Sequence, residues 1–414
     1  MSLKYALAIA ILLLRVADVV AGQDEQQWIV FGHDSASDLA AALADSATLT
    51  RNQIRDFRLL SPVDDRAIGR YFPELEEPLH RALHNKGRCG GFTLHRSLAA
   101  ALIEAGNRFY SDAYLNRSGV SPAAIDQQAH VGPALALVDA GRIIDTIEWL
   151  QGMGTRYYRS NAGRNASVGL QARWEGYGSG RSDFSVTRFE HPWEQDSVIA
   201  SIEGTVLPNE IVLIGGHLDS INASNQSDAP GADDNASGIA VVSEVLRVML
   251  ASDFRPRRTL QFIAYAAEEV GLRGSRAIAR EYDLAGKNVV GAMQLDMTGF
   301  SGSPRDLYFV TDYVSTDLTN FLKRLIGEYN GPGSHEITFG DTACGYACSD
   351  HAAWTEVGVP AVHPFETRAG EHNAALHTAD DRLGRIDTTG RKQALFAKLG
   401  IEFMIEVSKA EQAQ

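Results

Sequence analysis

From about residue 200 the sequence alternates short apolar runs with segments of helical periodicity, and this alternation restricts the fold more than any other feature. The runs EIVLIGG and TLQFIAYA contain too few polar residues for strands that have one face in water. Continuous apolar strands that alternate with helices are typical of a parallel sheet covered by helices on both faces. The predicted strands are 210–216, 259–266, 288–296, 306–312 and 360–366, and the predicted helices include 236–252 and 272–282. We therefore predict an α/β domain with a mostly parallel, twisted central sheet.

The first 120 residues have a different character. Lys4, the apolar run 5–14 and the small residues up to Ala21 have the layout of a signal peptide, which predicts a signal peptide over 1–21 and secretion. The apolar run is too short to span a bilayer, and an N-terminal anchor or a cytosolic tail is the alternative interpretation. Residues 22–120 contain short apolar patches and alanine-rich stretches that end in linker-like Ser, Gly, Asn and Pro residues. This organisation predicts a small separable domain before a larger one at 121–414.

The net charge indicates which partners the protein can bind, and the cysteines indicate whether disulfides can form. The net charge is −14, whereas nucleic acid or an anionic membrane would require a basic surface, so neither partner is expected. In an oxidising compartment Cys344 and Cys348 could form a disulfide, and Cys89 is then either free or removed with its segment. We expect a monomer.

Acidic residues and histidines gather where the predicted strands stop. They are His217 and Asp219, Asp233 and Asp234, Glu268 and Glu269, Asp296, and His377 near the C-terminus. In an open α/β sheet, ligands bind at the carboxyl ends of the strands. Imidazole and carboxylate groups are common metal ligands, so their convergence at this edge predicts a metal site.

The ligand types indicate which metal this site holds. Two imidazoles with carboxylates and no thiolate suit zinc, with manganese or cobalt as substitutes. One catalytic zinc usually takes three protein ligands, so five ligands suit two zinc ions that share a carboxylate. A water molecule between the ions would be acidified, and it would then need a base beside it. The neighbouring Glu268 and Glu269 can divide these tasks, one binding metal and the other handling the proton.

Each of these residues also has a local explanation. Glu268 and Glu269 could lie in the first turn of a helix from about Gly271, where the helix dipole favours negative charge. Asp233 and Asp234 could cap the helix that follows them. Such explanations would have to hold independently at every strand end, which favours the metal site.

The motifs GGHLDS, APGADDNASG, YAAEEVGLRGS, QLDMTG, CGYACSDHA and LHTADD occur along the chain in this order. In order and spacing they resemble the secreted bacterial leucyl aminopeptidases, a family of co-catalytic dizinc exopeptidases, over residues 121–409. The stretch NKGRCGGFTLH at 85–95 is similar to the propeptide of such enzymes. The resemblance implies a zymogen in which residues 22–120 are an inhibitory or folding-assisting propeptide, for which we predict a small α+β fold. The catalytic domain, 121–414, would hydrolyse the N-terminal bond of peptides that have a free amine, preferring large apolar first residues such as leucine.

The resemblance also implies two Zn²⁺ ions per chain and a ligand set for each. Asp234 would bridge the two ions. His217 and Glu269 would complete the coordination of one ion, and Asp296 and His377 that of the other.

Catalytic and substrate-binding residues follow from the same resemblance. Glu268 would be the general base and then the general acid, and Asp219 would orient the His217 imidazole, a role that the chemistry also favours. Cys344 and Cys348 would close a loop as a disulfide, and Tyr346 within it could donate a hydrogen bond to the developing oxyanion. The pocket for the first side chain of the substrate would be lined by Met297, Val310, Tyr346, Cys348, Phe365 and Leu376. An apolar pocket gains about 0.8 kcal/mol per buried methylene, which favours leucine over alanine.

Other functions on the same fold stay open at this point. A carboxypeptidase would need a basic residue for the substrate carboxylate, and the motif loops offer only Arg273 and Arg368. A dipeptidase is a further alternative, and a glutaminyl cyclase needs one metal whereas ligands for two are present. A non-catalytic receptor-like ectodomain would be expected to lack a ligand or Glu268, and neither is missing.

Overall fold

The computed structural model describes residues 27–32, 60–63, 66–71, 75–84, 92–95, 101, 124–329 and 337–411. The predicted signal peptide at 1–21, Cys89 and the linker-like segment at 115–122 lie outside the described residues. Among the described residues, no helix combines the length and the apolar character that crossing a membrane requires.

The described secondary structure falls on both sides of residue 121. Before it lie β1 (Trp28–Gly32), β2 (Leu60–Val63), β3 (Arg66–Arg70), α1 (Glu76–His84) and β4 (Phe92–His95). The helices after it are α2 (Gln128–Leu135), α3 (Ala140–Gln151), α4 (Asn161–Tyr177), α5 (Gly238–Ala251), α6 (Arg273–Leu284), α7 (Thr316–Tyr329), α8 (His351–Glu356) and α9 (Arg391–Ser408). The strands after it are β5 (Phe184–Phe189), β6 (Ser197–Ile202), β7 (Leu207–His217), β8 (Arg258–Tyr265), β9 (Asn288–Gln294), β10 (Leu307–Val310), β11 (Phe339–Thr342), β12 (Ala361–Val362) and β13 (Pro364–Phe365).

A six-stranded sheet in the order β12-β9-β7-β8-β6-β5 forms the centre of the chain after residue 121. Strands β12, β9, β7 and β8 are parallel, which confirms the predicted parallel centre. Strands β6 and β5 add an antiparallel edge, so the sheet is mixed. Only residues 190–196 connect β5 and β6, and such a short connection allows an antiparallel pair but not a parallel crossover.

Helices cover both faces of this sheet because its central strands are apolar on both sides. In β7, Val212 and Ile214 belong to a large apolar core shared with α3, α5 and α9. Ile211 and Leu213, which alternate with them, belong to a second core shared with α6 and α8. The uninterrupted apolar runs of the sequence therefore mark strands that are buried on two faces.

A small second sheet departs from the predicted single sheet. Strand β10 pairs in parallel with β11 and antiparallel with β13. The predicted strand 360–366 is divided at His363, so that β12 joins the central sheet and β13 joins the small one. The predicted strand 306–312 is present as β10, but it lies in the small sheet rather than the central one.

The elements before residue 121 pack directly on the part of the chain that follows. Strands β2, β3, β1 and β4 form an antiparallel sheet in that order. Phe31 of β1, Leu79 of α1 and Phe92 of β4 share one apolar cluster with Tyr158, Ala267 and Val270 from beyond residue 121. This cluster places α1 and β4 beside the loop between β8 and α6.

Candidate metal centre

Five histidine and carboxylate side chains meet at the carboxyl ends of the parallel strands. His217 is the last residue of β7, and Asp296 lies two residues beyond β9. Glu269 lies in the loop that follows β8, and Asp234 lies in the short turn Ala232–Ser237 that leads into α5. His377 comes from the loop between β13 and α9. Each of the five residues is at most 4% exposed, so the charges are concentrated in the protein interior.

The two oxygens of Asp234 face different histidines. Oδ1 lies 2.9 Å from Nε2 of His217, which in turn lies 3.1 Å from Oδ1 of Asp296. Oδ2 lies 3.1 Å from Nε2 of His377, which lies 2.9 Å from Oε2 of Glu269. These contacts form two three-residue groups that share Asp234, with the ligand atoms of each group within 4.8 Å of one another.

This grouping corrects one prediction. His217 was expected to share an ion with Glu269, and Asp296 with His377, but the structure groups His217 with Asp296 and Glu269 with His377. The reason is the strand register, because Gly215 of β7 pairs with Gln294, the last residue of β9, and His217 and Asp296 each lie two residues beyond this pair. The side chains just beyond these two strand ends therefore reach the same point.

The electrostatics of the centre fit bound cations. Among the described residues, Asp234, Glu269 and Asp296 form ion pairs with the two histidines and with no lysine or arginine. Burial lowers the pKa of His377, but Glu269 and Asp234 outweigh it and raise the pKa to about 10. A buried carboxylate without a cation is costly, and an imidazole binds metal only in its neutral form. Divalent ions at the two groups would therefore neutralise the carboxylates and displace the imidazole protons.

Glu268 lies beside both groups without belonging to either. It is buried, and its Oε1 accepts no hydrogen bond from the described residues. Burial raises the pKa of Glu268 well above the usual carboxyl range. His217 lowers this pKa, whereas the neighbouring carboxyl groups of Asp350 and Asp296 raise it further. A carboxyl group in this setting can accept and return a proton.

The carboxylate of Asp219 holds the backbone that carries the glutamates. Its two oxygens accept hydrogen bonds from the backbone N–H groups of Glu268 at 3.0 Å and Glu269 at 3.1 Å. Nδ1 of His217 lies 3.1 Å from the backbone oxygen of Asp219 and 3.5 Å from its carboxylate. Asp219 was predicted to orient the imidazole through its carboxylate, whereas the backbone oxygen is the closer partner and the carboxylate mainly fixes the glutamate loop.

Asp381 plays the same part for the shared ligand and was not singled out from the sequence. Its Oδ1 and Oδ2 accept hydrogen bonds from the backbone N–H groups of Asp233 and Asp234, both at 3.0 Å. Asp219 and Asp381 therefore each hold two successive N–H groups, one of which belongs to a candidate metal ligand. Asp381 is the second aspartate of the motif LHTADD, which is the only trace of it in the sequence. Its partners are backbone groups, so no particular residue type elsewhere in the sequence points to its role.

Replacement of Asp381 by asparagine is expected to weaken zinc binding by about 10–100-fold, the usual cost of losing a partner of a metal ligand. Asparagine has one acceptor oxygen, and its amide N–H₂ would face a backbone N–H, so Asp234 would be held less firmly. Chelator competition measures the zinc dissociation constant. The control is Asp380→Asn, because the exposed carboxylate of Asp380 pairs with Arg385, while the hydrogen bonds of Asp380 to Arg382 and Thr378 are made by its backbone and would be kept. Equal zinc affinity of Asp381→Asn and wild type would show that Asp381 is not needed to hold Asp234 in place.

Arg156 ties together the two loops that carry His217 and Asp234, and it too was missed. Its buried guanidinium donates hydrogen bonds to the backbone oxygens of Leu218 at 2.9 Å, Pro230 at 2.6 Å and Gly231 at 2.8 Å. All three acceptors are carbonyl groups, so no acidic residue in the sequence marks this arginine as a partner. The arrangement fixes both loops relative to each other.

Three of the seven described non-glycine residues with positive φ lie at the same place. Ala267, Met297 and His377 adopt φ values of 56°, 59° and 55°, which non-glycine residues rarely adopt. Ala267 precedes Glu268, and Met297 follows Asp296. Such conformations persist where the surrounding structure enforces them, and they cluster at functional sites.

An apolar cluster adjoins the metal centre. Met297, Val310, Cys348, Phe365 and Leu376 are buried together, and Cys344 and Tyr346 pack against them. Cys344 and Cys348 form a disulfide. Met297 and Leu376 are each the chain neighbour of a metal-site residue, Asp296 and His377. The structure thus brings every residue predicted for the substrate pocket to one place beside the centre.

Comparisons with known proteins agree with this geometry. Peptidase family M28 matches residues 197–399. Leucine aminopeptidase 1 of Ajellomyces capsulatus is 31% identical over 355 residues, which cover 82% of this chain and 90% of that protein. The LapA aminopeptidase of Legionella pneumophila has a TM-score of 0.73 at 26% identity, covering 93% of this chain and 99% of that one. LapB of the same organism has a TM-score of 0.73 at 28% identity, covering 93% and 100%. The chain therefore belongs to peptidase family M28 and is a metallo-aminopeptidase, a hydrolase of N-terminal peptide bonds.

Proposed function

We propose that the centre binds two zinc ions with Asp234 as the shared ligand. His217 and Asp296 complete one site, and Glu269 and His377 complete the other. The observation that carries this proposal is the position of Asp234, whose two oxygens face the two histidines separately. Carboxylates and imidazoles without thiolate are a ligand set that suits zinc.

The chemistry then divides between the ions and the protein. Zinc supplies Lewis acidity for the scissile carbonyl and lowers the pKa of the attacking water. Glu268 takes the proton of that water and returns it to the leaving amine, because its carboxyl group lies beside both groups and is not used as a ligand. Asp219 keeps Glu268 in place through the backbone. The hydroxyl of Tyr346 stabilises the oxyanion that forms at the carbonyl.

The apolar cluster sets the preference for the first residue of the substrate. Its members offer methyl, thioether and aromatic groups and no charge, so a leucine side chain gains more than an alanine side chain there. Because the cluster adjoins the metal ligands, a side chain bound in it places the N-terminal peptide bond at the centre. The substrates we propose are peptides with a free amine and a large apolar first residue.

We further propose that the protein is secreted through a signal peptide at 1–21 and made as a monomeric zymogen with a propeptide at 22–120. The position of α1 supports a propeptide that blocks the centre. His80 of α1 is fully buried, burial lowers its pKa to about 4, and Glu76, His377 and Asp219 are among the charged groups that act on it. Leu79 of the same helix packs with Ala267 and Val270, which flank Glu268 and Glu269, so the helix lies beside the glutamate loop and would obstruct the approach of a peptide.

The experiment that tests this function is hydrolysis of leucine p-nitroanilide and of its N-acetylated form by zinc-supplemented protein, before and after limited proteolysis. Cleavage of the free-amine form alone, increasing after proteolysis, is expected. The acetylated substrate is the control, because it has the same side chain and leaving group. Failure of the processed protein to cleave either substrate would contradict the proposed specificity, and full activity before processing would contradict the inhibitory propeptide.

A further inference from the structure

A carboxylate from the elements before residue 121, here called the N-terminal region, is buried in a polar pocket formed by the chain after residue 121. Glu76, the first residue of α1, is 5% exposed. Its Oε1 accepts a hydrogen bond from the hydroxyl of Tyr157 at 2.7 Å, and its Oε2 accepts one from Tyr158 at 3.0 Å. The guanidinium of Arg273 lies 3.4 Å from Oε2. All three partners offer donors, so the pocket selects a negatively charged acceptor.

The later part of the chain holds Arg273 in place for this contact. Its Nε donates to the backbone oxygen of Val270 at 2.9 Å, and its Nη1 donates to the hydroxyl of Tyr158 at 3.0 Å. Arg273 is the first residue of α6, so it follows the loop that carries Glu268 and Glu269. Tyr71 completes the arrangement from the N-terminal side, donating to Glu76 at 2.9 Å and accepting from Arg273 at 2.7 Å.

The balance of charges indicates that Glu76 is ionised in this pocket. Burial raises the pKa of Glu76, but Arg273 and the hydrogen bond from Tyr157 are among the interactions that outweigh it, and the pKa lies below its usual range. Hydrogen bonds to a charged group are stronger than those between neutral groups. Among the described residues Glu76 is the carboxylate that forms an ion pair with Arg273, so its loss would leave the partly buried guanidinium without that counter-ion, and the pair resists separation.

Strand β4 of the N-terminal region also contacts the chain beside Arg273. Leu94 of β4 lies against Gly271, where a Cβ would come within 3.2 Å of the Leu94 backbone nitrogen. The backbone oxygen of Leu94 accepts a hydrogen bond from Arg276 at 2.8 Å. Gly271 and Arg276 lie on either side of Arg273 along the chain, so the buried Glu76 carboxylate lies within a continuous interface rather than at its exposed edge.

We propose that Arg273, Tyr157 and Tyr158 form a carboxylate-binding site whose ligand is Glu76, and that this contact latches the N-terminal region over the metal centre. The inference rests on the proposed zymogen and names the contact that maintains it. The site lies on the catalytic part of the chain and recognises a single acidic side chain in cis. Loss of that side chain therefore releases the region without altering the processed enzyme.

The test compares full-length Glu76→Gln with full-length wild type, using two measurements. The first is the rate at which a protease removes the segment before residue 121, and the second is leucine p-nitroanilide hydrolysis before and after that cleavage. We expect removal to be about 10–100-fold faster in the variant, the factor that corresponds to loss of a charge-assisted hydrogen bond. We also expect higher activity before cleavage and equal activity afterwards, because processed wild type and processed variant have the same sequence.

Glu281→Gln is the matched control, since Glu281 is an exposed carboxylate on the same helix as Arg273. Equal removal rates and equal activities of uncleaved Glu76→Gln and wild type would overturn the latch. If Glu76→Gln yields no soluble chain, Tyr157→Phe removes one donor, and a removal rate equal to wild type would overturn it in the same way. An inactive processed wild type would instead reject the proposed function, while the removal rates would still decide the latch.

Discussion

Replacement of Glu268 by glutamine is expected to lower kcat on leucine p-nitroanilide by about 10²–10⁴-fold, the usual contribution of a general base. Glutamine has nearly the same shape, so the backbone hydrogen bond to Asp219 and the burial of the side chain are retained. The amide cannot accept the proton of the attacking water or deliver it to the leaving amine. The measurement is kcat of the processed protein with saturating zinc.

Metal content separates this role from ligation. Glu268→Gln is expected to retain the zinc content of wild type by elemental analysis, because Glu268 belongs to neither ligand group. Glu269→Gln is the comparison, because the adjacent carboxylate contacts His377 and its loss should reduce zinc binding. Near-normal turnover of Glu268→Gln would remove it from the base role. A loss of zinc equal to that of Glu269→Gln would make it a ligand instead.

The sequence predicts the central strands well because their burial on both faces leaves uninterrupted apolar runs. Strands β5 and β6 were not predicted, although β6 is mostly buried. The edge strand β5 shows one reason. Its residues are half-buried or exposed at the sheet edge, so the run FSVTRF lacks the apolar continuity of β7. Edge strands need to satisfy only one neighbour and one core face, and their sequences are correspondingly less distinctive.

For the metal centre, the sequence predicts which residues take part but not which of them lie together. The residues of the centre could be predicted because each follows a strand, and strand ends meet at one edge of the sheet. Their pairing could not, because it depends on the spatial order β9-β7-β8, whereas the chain order is β7, β8, β9. Strand β7 neighbours both β8 and β9, and His217 shares a group with Asp296 because each lies two residues beyond the paired Gly215 and Gln294, whereas Glu269 lies four residues beyond the end of β8.

Residues that hold backbone groups lie beyond sequence prediction for a different reason. Arg156 and Asp381 act on carbonyl and N–H groups, which every residue possesses. No particular partner residue accompanies them in the sequence, so spacing carries no signal. Glu76 is a related case, because its partners come from positions 81 or more residues further along the chain, apart from Tyr71.

Replacement of Asp234 by asparagine is expected to have the largest effect on the metal centre, because Asp234 is the only residue common to both ligand groups. Asparagine keeps one oxygen, while its N–H₂ group would face the Nε2 of His217 or His377, where a cation should lie. We expect zinc to fall from two ions per chain to at most one. The loss of affinity should exceed the ~10–100-fold that partners of metal ligands typically contribute.

The neighbouring Asp233→Asn provides the matched control, since the two residues are equally buried and adjacent in one loop. Asp233 accepts hydrogen bonds from the backbone N–H of Gly299 and from the side chain of Asn373, both at 3.2 Å, and it belongs to neither group. It should therefore retain both zinc ions, as measured by elemental analysis and chelator competition. Two ions of unchanged affinity in Asp234→Asn would exclude a shared ligand, and equal zinc loss in both variants would show that the loop, rather than the Asp234 carboxylate, holds the metal.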